Sequence, residues 1–388
     1  MPLDAARADV TASDVLAASA RLRRYLPPTP LHYAERFGCW LKLENLQRTG
    51  AYKVRGALNA LLAARERGDR RTVITASAGN HAMGLAWAAR ELKVPVITVM
   101  PMTAPVVKAQ GVAFLGATVR QSGQTYDEAK AHALQLAEQH GFRYLSAFDD
   151  PDVIAGQGTL GIELAAHAPE AVLVPIGGGG LAAGVALALK SACLSGTRAS
   201  RRVRIIGAQV EGVDAMARAL KGEASPITPR ATLADGTRVA EAGTLTREIL
   251  SRLLDDLIIV REAELRETLA RLMLEEHIVA EGAGALALAA GRRVASRRKV
   301  AVVSGGNIDA AVFAQLLLDT RPRPPRPPRR RAADPFTAGA SVPMPPLSPA
   351  APTAGTAFAK ASPGPTASAA TSFPTSPRLS PTPEGSLP

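Results

Sequence analysis

From about residue 40 to residue 320 the chain repeats one pattern: a short apolar strand, a tight turn, then a helix. The clearest copy is AVLVPIGGGGLAAGVALAL, residues 171–189. Strands without polar alternation are buried on both faces, and helices between them serve as crossovers. The pattern therefore predicts parallel sheets covered by helices on both sides, an α/β fold. Predicted strands are 40–44, Thr72–Thr75, Val96–Met100, Ala117–Arg120 and Phe142–Leu145, then Ala171–Ile176, Val203–Gln209, Leu257–Val260 and Lys299–Ser304. Predicted helices are 11–24 with Ser13 as N-cap, Tyr52–Arg65, His81–Lys93, Pro105–Gly111, Asp127–His140, Val153–His167 and Leu181–Ala192. Further ones follow around Gly212–Leu220 and Leu245–Leu253, over Glu262–Glu276 and Ala283–Ala295, and from Asn307 to Asp319. The two runs imply two lobes, with a cleft where strand C-termini meet helix N-termini.

Within this frame, LKLENLQRTGAYKVRGAL (41–58) places Lys53 in the first turn of a helix that follows a strand and a turn. A lysine there sits at the edge of a core, where its amine is desolvated yet reachable by a carbonyl compound. The Gly177–Gly180 turn exposes consecutive N–H groups at a helix N-terminus, which makes a phosphate cradle. It is neither GxxxxGK[ST] nor a well-placed GxGxxG, so nucleoside triphosphatases and dinucleotide enzymes are not favoured. A reactive lysine and a phosphate anchor together suggest a phosphorylated aldehyde held as a Schiff base. Ser77–His81 (SAGNH) has the same strand-to-helix position. Its amides suit a carboxylate, and Asn80 suits a ring substituent. His81 reads as a structural hydrogen-bonder rather than a base. Ser304 ends the last strand on the same cleft edge.

Composition excludes other classes. No apolar run reaches membrane-spanning length, and MPLDAARADVTASDVL lacks the apolar core of a secretory signal. Cys39 and Cys193 match no metal spacing and read as reduced and buried, which fits the cytoplasm. The net charge is +12, and residues 321–388, with eight basic and two acidic residues, account for half of it. The remainder is mildly basic, and nothing in it demands nucleic acid. Six arginines among prolines in Arg321–Arg331 could meet RNA, acidic lipid or an SH3-like groove. The composition of 321–388 reads first as a solvated, disordered tail.

LKLENLQRTGAYKVRGA, TASAGNHAMG, PIGGGGLAAG and VVSGGNID resemble the serine/threonine dehydratase family, pyridoxal-phosphate enzymes of the tryptophan-synthase-β (type II) fold. The resemblance spans about residues 15–318. It implies that Lys53 carries pyridoxal 5'-phosphate, that Tyr52 packs beside it, and that Asn80 bonds the ring 3'-oxygen. It further implies that the backbone of Gly177, Gly178, Gly179, Gly180 and Leu181 binds the phosphate and that Ser304 faces the pyridine nitrogen. Ser77, Ala78, Gly79, Asn80 and His81 would hold the substrate. Lys53 and Ser304 would be catalytic. The implied lobes are 1–49 with 147–320 (large, cofactor-binding) and 50–146 (small), followed by the 321–388 tail.

The implied activity is an L-threonine/L-serine ammonia-lyase that yields a 2-oxoacid and ammonia. The alternatives are a serine racemase-like enzyme, a threo-3-hydroxyaspartate dehydratase, and a non-catalytic cofactor-binding scaffold with a partner-binding tail. Three departures from the family pattern bear on them. Ala78 replaces the serine of racemases, which disfavours a two-base racemase. Gln209 and Ala215 stand at the divalent-cation positions, so no metal site is expected. Met83 replaces a usual glutamine. The tail does not read as a regulatory domain, so no inhibition by isoleucine is expected. The family implies a homodimer or homotetramer.

Overall fold

The computed structural model of the protein describes residues 9–191, 203–223 and 225–319. The expected tail over 321–388, Cys193 and the leading residues 1–8 lie outside the described residues.

In chain order the elements are α1 (Ala12–Leu22), β1 (Leu31–Ala34), β2 (Cys39–Leu43), α2 (Lys53–Glu66), β3 (Val73–Ala76), α3 (Asn80–Leu92), β4 (Val96–Met100) and α4 (Val106–Phe114). β5 (Thr118–Gln121), α5 (Tyr126–His140), β6 (Arg143–Tyr144), α6 (Pro151–Ala165), β7 (Ala171–Pro175), α7 (Gly180–Lys190) and β8 (Arg204–Val210) follow. The last are α8 (Ala215–Leu220), α9 (Thr244–Leu253), β9 (Asp256–Val260), α10 (Glu262–Glu275), α11 (Gly282–Gly291), β10 (Lys299–Val303) and α12 (Ala310–Asp319).

Two sheets form. The larger has strand order β1-β2-β10-β7-β8-β9, and the smaller β5-β4-β3-β6. Among the described residues, every strand pairing is parallel except β1 with β2. That antiparallel edge corrects the all-parallel expectation. LHYA is too short to show a period of its own, and its pairing is set by the tight turn at residues 35–38. The N-cap of α1 is Thr11, not Ser13. The Thr11 N–H and hydroxyl both donate to the Asp14 carboxylate, at 2.8 and 2.7 Å, an arrangement that Ser13 has no acid in register to make. The other predicted helices and strands occur with ends moved by a few residues.

Apolar side chains bury on both faces of each sheet. One face of the large sheet packs on α10 and α11 and the other on α6 and α7. The small sheet packs α2 and α3 on one face and α5 on the other. Helix α2 packs against both α3 and α6 and so joins the two halves of the core. Its approach to α3 requires Gly84, because a Cβ there would lie 2.8 Å from the Val54 backbone nitrogen.

A closed ionic network anchors the start of α2. Arg55 donates to both oxygens of Glu44, at 2.7 and 2.8 Å, and to Glu163 at 2.6 Å. Lys42 donates to Glu163 and to the Thr29 carbonyl, and the Thr29 hydroxyl donates to Glu44. Arg55 and Glu44 are fully buried. The network therefore ties β2 and α6 to the helix that carries Lys53.

Candidate active site

The C-terminal ends of β3, β7 and β10 and the N-termini of α2, α3 and α7 meet around a cavity of about 500 Å³. Tyr52, Lys53, Ser77, Ala78, Gly79, Asn80, His81, Gly177, Gly178, Gly179, Gly180, Leu181 and Ser304 all line it. Motifs more than 200 residues apart in sequence thus share one wall. A second cavity of about 400 Å³ opens near Gly212 and Asp214. There Arg218 is already paired with Asp214, and none of the sequence motifs contribute.

Lys53 begins α2, and its side chain is half-buried. Its amine donates to the Ala147 carbonyl at 2.8 Å and lies 5.2 Å from the centre of the Tyr52 ring. Burial lowers its pKa to about 8, against the opposing pull of Glu281. A neutral, nucleophilic amine is therefore accessible near neutrality. The first turn is fixed to the last strand, since Tyr52 N–H donates to the Ser304 carbonyl at 3.1 Å.

The glycine turn is tight for a reason visible in its neighbours. A Cβ on Gly178 would fall 2.3 Å from the Phe148 ring, and Gly179 sits at φ +100° as the N-cap of α7. The Thr246 hydroxyl donates to the Gly178 carbonyl at 2.6 Å, and Asp149 caps α9 by accepting from the backbone of Thr244, Leu245 and Thr246. The turn is thus braced from outside. As at any helix start, the first N–H groups of α7 have no partner within the helix, and the dipole favours an anion beside them.

Ser304 is buried, and its hydroxyl donates to the Ala283 carbonyl at 3.2 Å. At the SAGNH turn, the Ser77 hydroxyl accepts from Gly79 N–H at 3.2 Å, and Asn80 opens α3. His81 follows Asn80 in the first turn of α3. Its ring is 2% exposed, and neither nitrogen has a partner of good geometry, although the Leu145 backbone lies close. Burial, with Lys53 nearby, lowers its pKa to about 3, so the imidazole is neutral.

Sequence reasoning missed three groups in the cavity. Glu281, the N-cap of α11, accepts from Asn80 Nδ2 at 2.7 Å. Lys108 of α4 and Asp235 face each other across the cavity rim at 3.7 Å. None belongs to a motif. Lone glutamates, lysines and aspartates read as solvated surface until the fold brings them to the cleft.

A family model described as "Pyridoxal-phosphate dependent enzyme" matches residues 22–305. The chain belongs to this family. It is an enzyme, and its cofactor is pyridoxal phosphate. Among curated proteins, it is 38% identical to "L-threonine ammonia-lyase" of Thermotoga maritima, over 79% of this chain and 78% of that one. It is 37% identical to "L-threonine dehydratase catabolic TdcB" of Escherichia coli K12, over 79% of this chain and 96% of that one. Among solved structures, a pyridoxal 5'-phosphate-dependent aspartate racemase superposes with a TM-score of 0.71 at 31% identity, covering 78% of this chain and 97% of that one.

The cavity fits pyridoxal phosphate on the structure's own terms. A turn packed too closely on its neighbours for any Cβ, at a helix N-terminus, suits a phosphate, a desolvated amine suits an aldehyde, and the volume admits one small aromatic ring. Among the described residues, no group of three or more His, Cys, Asp or Glu gathers as a metal would need. None of the described helices is long and apolar enough to cross a membrane. Cys39 is buried and in no disulfide, and its thiol pKa is pushed up to about 12 by burial.

Proposed function

We propose that this enzyme is an L-threonine ammonia-lyase that also accepts L-serine, releasing 2-oxobutanoate or pyruvate and ammonia. The observation that carries this reading is the single cavity shared by the Lys53 amine, the glycine cradle and a neutral hydroxyl, Ser304. The two curated relatives named above support the substrate class.

Lys53 Nζ would hold the cofactor aldehyde and, when free, would be the base for the substrate Cα proton. Gly177, Gly178, Gly179, Gly180 and Leu181 would anchor the phosphate, and Tyr52 would pack beside the ring. Ser77, Ala78, Gly79, Asn80 and His81 would hold the substrate carboxylate through the start of α3, with Asn80 also serving the ring oxygen. When bound, pyridoxal phosphate supplies the electron sink that makes the Cα proton removable. Ser304 carries an uncharged hydroxyl, so it would not hold a ring nitrogen beside it protonated. This favours prompt loss of the β-hydroxyl over reprotonation. Water is lost in the elimination and regained when the imine product hydrolyses, so the net products are one 2-oxoacid and one ammonia.

The likeness to an aspartate racemase favours a second reading, racemisation. It needs a proton donor on the face opposite Lys53, and Ala78 offers none. Steady-state release of 2-oxoacid from L-threonine, L-serine and 3-hydroxyaspartate, with D-serine assayed in parallel, tests the proposal. Faster D-serine formation than pyruvate release from L-serine would reject it. We further propose a cytoplasmic homodimer or homotetramer of large (1–49, 147–320) and small (50–146) lobes. It would serve threonine breakdown or the supply of 2-oxobutanoate for isoleucine synthesis.

A further inference from the structure

The side chain of Asn80 has its amide orientation settled from both ends. Its Nδ2 donates to Glu281 at 2.7 Å, and its Oδ1 accepts from Asn307 Nδ2 at 2.8 Å. Asn307 Nδ2 also donates to the Thr49 carbonyl at 2.8 Å. A carbonyl can only accept, so the relay has a fixed direction: Thr49 orients Asn307, Asn307 orients Asn80, and Glu281 receives the other end. Turning the Asn80 amide over would set two donors against each other at Asn307 and two acceptors against each other at Glu281. One N–H of Asn80 remains, and it is the group this residue can offer to the cavity.

Glu281 is itself held in place. Its N–H donates to the Gly305 carbonyl at 3.0 Å, and its Oε1 lies 2.6 Å from where a Cβ on Gly305 would stand. The carboxyl is thus seated between the loop that follows Ser304 and the start of α3. We propose that Glu281 is a positioning residue, which fixes the Asn80 amide so that its free N–H serves the ring oxygen of the bound cofactor. This inference rests on the proposed placement of that oxygen beside Asn80.

Burial raises Glu281 to about 7, with the Asn80 hydrogen bond, Lys108 and Lys53 favouring its charged form and Asp235 opposing it. The Tyr52 hydroxyl also lies close enough to feel its charge. Glu281 therefore changes charge near neutrality, and the hydrogen bond it accepts from Asn80 is stronger above that pH.

The test uses the full chain with added pyridoxal phosphate and reads cofactor affinity and the visible band of the bound cofactor against pH. In the wild type the band changes with a midpoint near neutrality. E281Q removes that midpoint and weakens cofactor affinity by about tenfold, as expected when a charge-assisted hydrogen bond is replaced by a neutral one. In an N80A background the same substitution has little further effect, because the group it acts through is gone. N307A, at the partly exposed end of the relay, weakens affinity in the same direction and keeps the test open if E281Q does not fold. An unchanged midpoint and affinity in E281Q, or an equal loss with and without Asn80, would overturn the inference. A wild type that binds no cofactor would instead reject the placement it rests on.

Discussion

Replacing Glu44 with Ala tests the buried network that anchors the lysine helix. Arg55 and Glu44 side chains are 2% and 0% exposed, and they share two charge-assisted hydrogen bonds. Glu44→Ala leaves Arg55 buried with Glu163 as its remaining anion and leaves the Thr29 hydroxyl without its acceptor. Breaking one side of a buried pair costs about 3–5 kcal/mol. At roughly 2 °C per kcal/mol in a protein of this size, that is a fall in Tm of about 6–10 °C. Glu44→Leu with Arg55→Met, which replaces both charges by apolar side chains, recovers most of the loss, since apolar replacement of a buried pair is close to neutral. The sign with pH follows from the carboxylate. Burial works to raise the Glu44 pKa, but Arg55, Thr29 and Lys42 outweigh it and hold the group below its ordinary 4.5. Its contribution is therefore present above about 4.5 and is lost as pH falls through the lowered value. The gap between wild type and Glu44→Ala should narrow in acid. Denaturant titrations followed by circular dichroism at neutral and acid pH measure both effects. A loss under about 1 kcal/mol, well below the range for a broken buried pair, or a gap that does not narrow, refutes the reasoning.

Three further outcomes follow from the site. Gly178→Ala places a methyl group 2.3 Å from the Phe148 ring. It should weaken cofactor binding by about tenfold or more, consistent with disruption of a preorganised phosphate cradle, and Phe148→Ala should restore part of that when the two are combined; fluorescence titration with pyridoxal phosphate measures this. Lys53 in the cofactor-free protein should react with an amine reagent with a midpoint near 8 instead of near 10.5, because burial disfavours its charged form. The same shift makes stability rise with pH between those two values, and Lys53→Met should flatten that rise in a denaturation series. Lys108→Ala removes a half-exposed ion pair with Asp235 and should change stability by under about 1 kcal/mol in thermal unfolding.

Much of this architecture could be read from local pattern. Apolar strands such as AVLVP and KVAVV carry their burial on both faces in their composition, so the helix-covered parallel sheets follow from the residues alone. Lys53, the Gly177–Gly180 turn and Ser304 stood out because their chemistry depends on immediate neighbours at strand-to-helix junctions. What could not be read depends on distance in sequence. Glu281 acts on Asn80 across 201 positions, and nothing around it in VAEGAGAL marks it. Arg55 lies in a helix where arginine ordinarily reaches solvent, and only the fold brings Glu44 and Glu163 to it. The antiparallel β1 escaped because four residues after a proline-rich turn show no period.

The account depends on a covalent link between the Lys53 amine and the cofactor aldehyde. Purified protein incubated with pyridoxal phosphate, reduced with borohydride, digested and weighed by mass spectrometry examines that link directly. The account predicts a reduced pyridoxyl-phosphate adduct on the peptide containing Lys53, and its absence in Lys53→Ala. An adduct on another lysine, or none on the wild type, would contradict it.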